Sequence, residues 1–174
     1  MKQTQKNKLS AFTLIELVIV IVIVGILSIS TTVIISYTIR AIQLSSAADK
    51  VASDLRYAVN MASATATWYG VSFEVNPVNQ YTVYTKAGTI DSVAENPAKK
   101  QSPFIVNLGS DYAVTISSVE ITGGKKVEFN PLGTPYTDRA TGSLVSPEGV
   151  ITLYKNPSFK TVRIVPNTGR IYIQ

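Results

Sequence analysis

The chain contains neither cysteine nor histidine. The first absence rules out a disulfide framework and any thiolate metal site. The second removes the usual general base and the commonest metal ligand. Proline is missing from the whole first part of the chain, the earliest being Pro77, so nothing there forces a helix to break. Charge is scarce, at 16% of residues against 45% apolar ones, which fits an ordered protein. No Gly-rich phosphate loop, Ser-x-x-Lys motif or recognisable triad is present. An enzyme is therefore not expected, and no cofactor is implied.

What is present is a long apolar run. Of the 22 positions from Leu14 to Ile35, only Glu16, Ser28, Ser30, Thr31 and Thr32 are polar. As a helix this run would measure roughly 33 Å, enough for the ~30 Å hydrocarbon core of a bilayer. Val18 to Val24 is an unbroken β-branched stretch that favours a strand in water. A lone strand in lipid would leave every backbone polar group unpaired, so the run is expected to be a membrane helix. Glu16 is the odd residue, an acid inside an apolar run that calls for a partner.

The net charge is +5, and its placement matters more than its size. Lys2, Lys6 and Lys8 precede the run with no acid among them. Beyond Ala11 thirteen basic residues face eleven acidic ones. That asymmetry puts the N-terminus in the cytoplasm and the remainder outside, in a single pass of a membrane. A cleaved secretory signal is the rival reading, with Ser28-Ile29-Ser30 as its cut site, but the apolar run is too long for it and carries Glu16 near its start.

After Ile35 the helical pattern continues. Leu44, Ala48, Val51, Leu55, Ala58 and Ala62 recur at helical spacing, with Asp49, Lys50, Asp54 and Arg56 largely on other faces. From Gly70 the period becomes 2. Strands are predicted at Val71–Val75, Tyr81–Thr85, Phe104–Leu108, Val114–Ile121, Lys126–Phe129, Val150–Tyr154, Thr161–Val165 and Arg170–Ile173, divided by Gly, Asn and Pro turns. Residues 86–103 are polar, carry two prolines and are expected to be a surface loop. The fold class is thus α+β, a long N-terminal helix packed on an antiparallel β domain. Its predicted divisions are a leader at 1–11, a transmembrane and assembly helix at 12–36, an amphipathic continuation at 37–69 and a β-rich domain at 70–174.

Ala11-Phe12-Thr13-Leu14-Ile15-Glu16-Leu17, behind a short lysine-bearing leader, closely resembles the cleavage and methylation motif of type IV prepilins and pseudopilins. The resemblance implies a cut between Ala11 and Phe12 by a prepilin peptidase, N-methylation of Phe12, and Glu16 as the acid at the fifth mature position. Ala11 stands where the family usually has Gly. The stretches Phe129–Gly133, Gly149–Leu153, Val162–Val165 and Gly169–Ile173, with the crossing from Asp54-Leu55-Arg56 to Gly70-Val71, resemble the GspH/FimT group of minor pseudopilins and minor pilins. A span without proline and the lack of a C-terminal disulfide pair set the chain apart from a typical major pilin. The resemblance implies a structural subunit of a type II secretion pseudopilus or a type IV pilus. Its implied partners are the peptidase, other pilin or pseudopilin subunits, the inner-membrane assembly platform, and lipid before assembly.

Phe12 and Glu16 are the expected assembly residues. Cutting before Phe12 creates an ammonium with an ordinary pKa of roughly 8. In a bundle of such helices, that cation and a neighbour's Glu16 would offset each other's desolvation and set the axial register. The alternative is a DNA-binding minor pilin. Residues 125–174 hold seven basic and three acidic residues, and Lys155, Lys160, Arg163 and Arg170 are the candidate phosphate contacts. Some family members resemble DNA receptors with a Gly-Arg-x-Arg-like element, whose second Arg is missing from Gly169-Arg170-Ile171-Tyr172. Solvated charges on strand faces are the simpler reading, so DNA is not favoured.

Overall fold

The computed structural model describes residues 12–87 and 90–174, and within them all side chains except those of residues 29–35, 87 and 90. The chain divides into two compact units, one ending at Ile39 and one running from Arg40 to Gln174. A single helix, α1 (Leu14–Thr65, 52 residues), contributes to both.

In the first unit α1 is largely apolar, and every described position of it is exposed, with Leu14 at 82% and Leu27 at 62% exposure. The β-branched stretch Val18–Val24 is helical against its strand propensity. Among the described residues no helix is long and apolar enough to cross a membrane. The run expected to span ends in residues 29–35, whose side chains lie outside the described ones. The stretch Leu14–Ser28 alone would reach roughly 22 Å, short of a ~30 Å core.

In the second unit α1 buries one stripe. Leu44, Ala48, Val51, Leu55, Ala58 and Ala62 are each at most 2% exposed, and Ala47 and Ala52 widen the face. Five of these eight are alanines, which let the sheets approach the helix closely. The helix stops at Thr65, where Ala66 turns left-handed with φ +52°.

The β domain is wholly antiparallel. One sheet is built on β1 (Trp68–Glu74), β2 (Gln80–Ala87) and β3 (Ile90–Val93). A separate hairpin pairs β4 (Glu95–Asn96) with β5 (Lys99–Pro103), and β6 (Ile105–Asn107) returns to β2. A short helix α2 (Leu108–Tyr112) leads into β7 (Thr115–Glu120). β8 (Lys126–Phe129), β9 (Pro135–Asp138) and β10 (Ser143–Leu144) complete the first sheet in the order β10-β9-β8-β1-β2-β3. The second sheet joins β7 to β11 (Gly149–Lys155), β12 (Ser158–Ile164) and β13 (Ile171–Ile173) in the order β13-β12-β11-β7. Phe73, Tyr81, Phe129, Ile151, Leu153 and Ile164 from these strands, with Phe104 between β5 and β6, close on the helix stripe as one core.

The polar segment 86–103 is not a plain loop. Strands β3, β4 and β5 form within it because backbone bonds suffice. Val83 N–H donates to Phe104 O (2.9 Å), Ala94 N–H to Val83 O (2.9 Å) and Phe104 N–H to Ala94 O (2.8 Å). One small residue, Ala94, supplies its inward anchor. Edge strands of this kind carry no apolar alternation to read. The strand expected over Phe104–Leu108 is likewise shortened, because Asn107 Oδ1 caps α2 by accepting from Ser110 N–H (2.9 Å).

Two glycines are set by close approach. A side chain at Gly70 would collide with the Tyr84 ring, which lies across β1. At Gly169 (φ +62°) a Cβ would run into the Gly133 carbonyl oxygen, so the turns at 130–133 and 167–169 interlock.

A buried carboxylate tethers helix to sheet. Asp54, 4% exposed, accepts from Lys50 Nζ (2.7 Å) on its own helix and from Tyr81 Oη (2.6 Å) on β2. Lys50 Nζ also lies 5.4 Å from the Phe104 ring centre. Burial, and then the Asp54 charge, push the Tyr81 phenol far above its ordinary value. Replacing Tyr81 with Phe removes one bond to a buried carboxylate, and is expected to lower unfolding stability by ~1.5–3 kcal/mol. Denaturant titration of the full chain in detergent measures this, and an unchanged midpoint would refute the tether.

Candidate functional site

The start of α1 is built as a reciprocal cap. Thr13 Oγ1 accepts from Glu16 N–H (3.3 Å), and Glu16 Oε2 accepts from Thr13 N–H (3.5 Å). This is the Thr-x-x-Glu capping box, which satisfies two of the helix's free N–H groups. Glu16 therefore has a local partner in the single subunit, and its negative charge sits favourably at the positive end of the helix. The sequence signal for it is Thr13-Leu14-Ile15-Glu16 ahead of an apolar run, a local pattern that a search for a distant charge partner passes over. Phe12 precedes the cap and is 80% exposed. Ala11, the other half of the expected cleavage site, lies outside the described residues.

The four candidate phosphate contacts do not form one surface. Lys155 Nζ donates to Tyr112 O (3.2 Å) and Ala113 O (2.7 Å), holding the end of α2. Lys160 Nζ reaches Ser45 Oγ on α1 (3.4 Å). Lys160 alternates with the buried Val162 and Ile164, whereas Arg163 lies on the opposite face of β12. Arg163 Nη1 pairs with Glu148 Oε2 (3.0 Å), and Tyr172 Oη donates to the same carboxylate. Arg170 is exposed, its guanidinium 6.0 Å from the Tyr172 ring centre.

A second buried carboxylate, Glu128, lies on the outward face of the first sheet yet is fully covered. It accepts from Tyr84 Oη (2.8 Å), Lys86 Nζ (3.3 Å), Lys126 Nζ (3.3 Å) and Arg139 N–H (2.6 Å). Lys126 extends the network to Asp138 (2.9 Å). Trp68, Tyr136 and Arg139 pack beside it, the two rings 5.0 Å apart and the guanidinium 5.3 Å from the indole. Burial pushes the Glu128 carboxyl up, but the Arg139 N–H, the Tyr84 hydroxyl and the two ammonium groups outweigh it, leaving the group below its ordinary value. A carboxylate saturated by donors in this way has no proton to give and no free lone pair aimed at solvent. Among the described residues no group of three or more carboxylates is placed to hold a metal ion.

A family described as the prokaryotic N-terminal methylation motif matches residues 6–32. No curated protein matches the chain in sequence. Among solved structures, the chain is similar to the type IV minor pilin FimU of Pseudomonas aeruginosa in two crystal forms. In space group P21 the identity is 17% over 75% of this chain and 87% of that one, with a TM-score of 0.49. In space group P65 the identity is 14% over 75% and 92%, with a TM-score of 0.48. The matched methylation motif takes in the head of a long helix that packs on an antiparallel sheet.

Proposed function

We propose that the protein is a minor pseudopilin or pilin subunit of the GspH/FimT kind. A prepilin peptidase cuts between Ala11 and Phe12 and methylates Phe12. The apolar part of α1 holds the subunit in the inner membrane, N-terminus inside and β domain outside. It then enters a type II secretion pseudopilus or a type IV pilus, where Glu16 pairs with the Phe12 ammonium of a neighbour. The role is structural and non-enzymatic, needs no cofactor, and relies on other subunits and the inner-membrane platform as partners.

The observation that carries this reading is the methylation motif at residues 6–32 placed at the head of α1. An exposed apolar helix start is costly in water and is stabilised only by lipid or by like helices. Mass spectrometry of the membrane-extracted protein tests it. The expected product lacks residues 1–11 and carries one added methyl group on Phe12. A product beginning near Thr31 would mean ordinary secretion and end the proposal. No observation favours the DNA-binding alternative, since three of its four candidate cations are tied to the protein's own groups.

A further inference from the structure

The outward face of α1 in the second unit is polar, uncovered and periodic. Ser46, Asp49, Ser53, Arg56, Asn60 and Ser63 recur at alternate steps of three and four, and all are exposed. The face has an acidic end at Asp49 and a basic end at Arg56. Beside Arg56 lies a cleft of about 280 Å³ lined by Arg56, Asn60, Thr168, Gly169 and Arg170. Arg56 Nη2 donates to Ile171 O (3.0 Å), which holds its guanidinium at the cleft. Two guanidinium groups thus line one opening, and among the described residues neither has a carboxylate partner. Asp49 likewise has no cation partner among the described residues.

We infer that this cleft receives the Asp49 carboxylate of a second copy of the chain, an inference that rests on the assembly reading and names a lateral contact within it. Asp49 and Arg56 are seven residues apart, two helical turns, or about 10.5 Å along the axis. A parallel copy displaced by that distance sets its Asp49 against Arg56 and Arg170, and its Ser53 against Asn60. The serines keep the face low enough for the helices to approach. Charge decides the partner class: an acid on the same face repels a phosphate backbone, whereas an Arg pair accepts a carboxylate through several N–H donors. The acidic and basic ends differ, so the two copies contribute different residues, Asp49 and Ser53 from one and Arg56, Asn60 and Arg170 from the other.

The cysteine-free sequence makes the test direct. Full-length chains carrying Ser53→Cys or Asn60→Cys are expressed together in cells that assemble the fibre, then oxidised. A Ser53→Cys with Asn60→Cys disulfide is expected, with little Ser53→Cys homodimer. Adding Arg56→Glu to the Asn60→Cys chain should lower the yield roughly tenfold, the scale of one attractive pair made repulsive. Adding Asp49→Arg to the Ser53→Cys chain should restore it. Fibres that form normally without the cross-link, or with one indifferent to charge reversal, would overturn the inference and leave the assembly reading standing. So would duplex DNA retained by the wild-type chain and released by Arg56→Glu with Arg170→Glu, if no cross-link forms. If the wild-type chain is processed but never enters fibres, both readings fall together.

Discussion

Replacing Glu16 with Gln should abolish assembly while leaving α1 intact. Glutamine serves in a capping box as glutamate does, so it keeps the bond to Thr13 N–H and removes only the charge. In an assembled bundle that loss leaves the Phe12 ammonium of a neighbour buried without a counter-ion. Breaking such a pair costs ~3–5 kcal/mol, or roughly a 10²–10⁴-fold loss of incorporation. Thr13→Ala is the counterpart. It keeps the charge and removes the hydroxyl that accepts from Glu16 N–H, at ~1 kcal/mol. Helix content by circular dichroism and the sheared-fibre fraction by immunoblot read the two effects separately. Normal fibres from Glu16→Gln would sink the charge-pair idea. If Thr13→Ala were as defective as Glu16→Gln, the acid would matter through the cap alone.

Glu128→Gln should be the most destabilising single polar change in the β domain. The side chain is 1% exposed and faces Lys86 and Lys126, so the amide would leave Lys86 with only its longer pair to Asp91 (3.5 Å) and Lys126 with only Asp138 (2.9 Å). The expected loss is ~3 kcal/mol. The same site sets the acid limit of stability. The folded carboxyl lies below its ordinary 4.5, so its contribution is fully present above that pH and is lost as pH falls through the folded value. Asp138, held down by its bond from Lys126, acts in the same direction. Unfolding free energy should therefore drop steeply below about pH 4.5 in the wild type, and more shallowly in Glu128→Gln. The opposite limb comes from Tyr81 and Tyr84, whose folded values are raised by burial and by their carboxylate partners. The folded state keeps those protons above pH 10 while the unfolded chain loses them, so stability falls as pH rises there. Denaturant midpoints across pH test both limbs. A Glu128→Gln protein with wild-type midpoints and an unchanged acid slope would contradict the network.

Much of this architecture is legible in the sequence because two periods carry it. Leu44, Ala48, Val51, Leu55, Ala58 and Ala62 announce a helix face by spacing alone, and all six are buried. Val71, Phe73, Tyr81 and Val83 announce paired strands by alternation, and the register sets Val71 opposite Val83 and Phe73 opposite Tyr81. The segment 86–103 reads as a loop because its strands are held by backbone bonds around Ala94, which leave no trace in side-chain polarity. At the head of α1 the reverse holds. Thr13 and Glu16 stand at cap spacing, but an acid in an apolar run invites an explanation by distant charge before the nearer one.

Residue type and local spacing were enough for the helix with its apolar head, the acid at Glu16, the antiparallel class of the domain and the lack of any catalytic motif. A chain states such features directly, because each depends on neighbours within a few residues. What the charges of the β domain do was decided by tertiary structure. It spent Lys155, Lys160 and Arg163 on the protein's own carbonyl, hydroxyl and carboxylate groups. It closed Glu128 under donors from β2, β8 and the end of β9. It also brought Arg170 to the cleft beside Arg56, 114 residues away. Electrostatic roles depend on which groups face one another and how far water is excluded, and strands far apart in sequence set both.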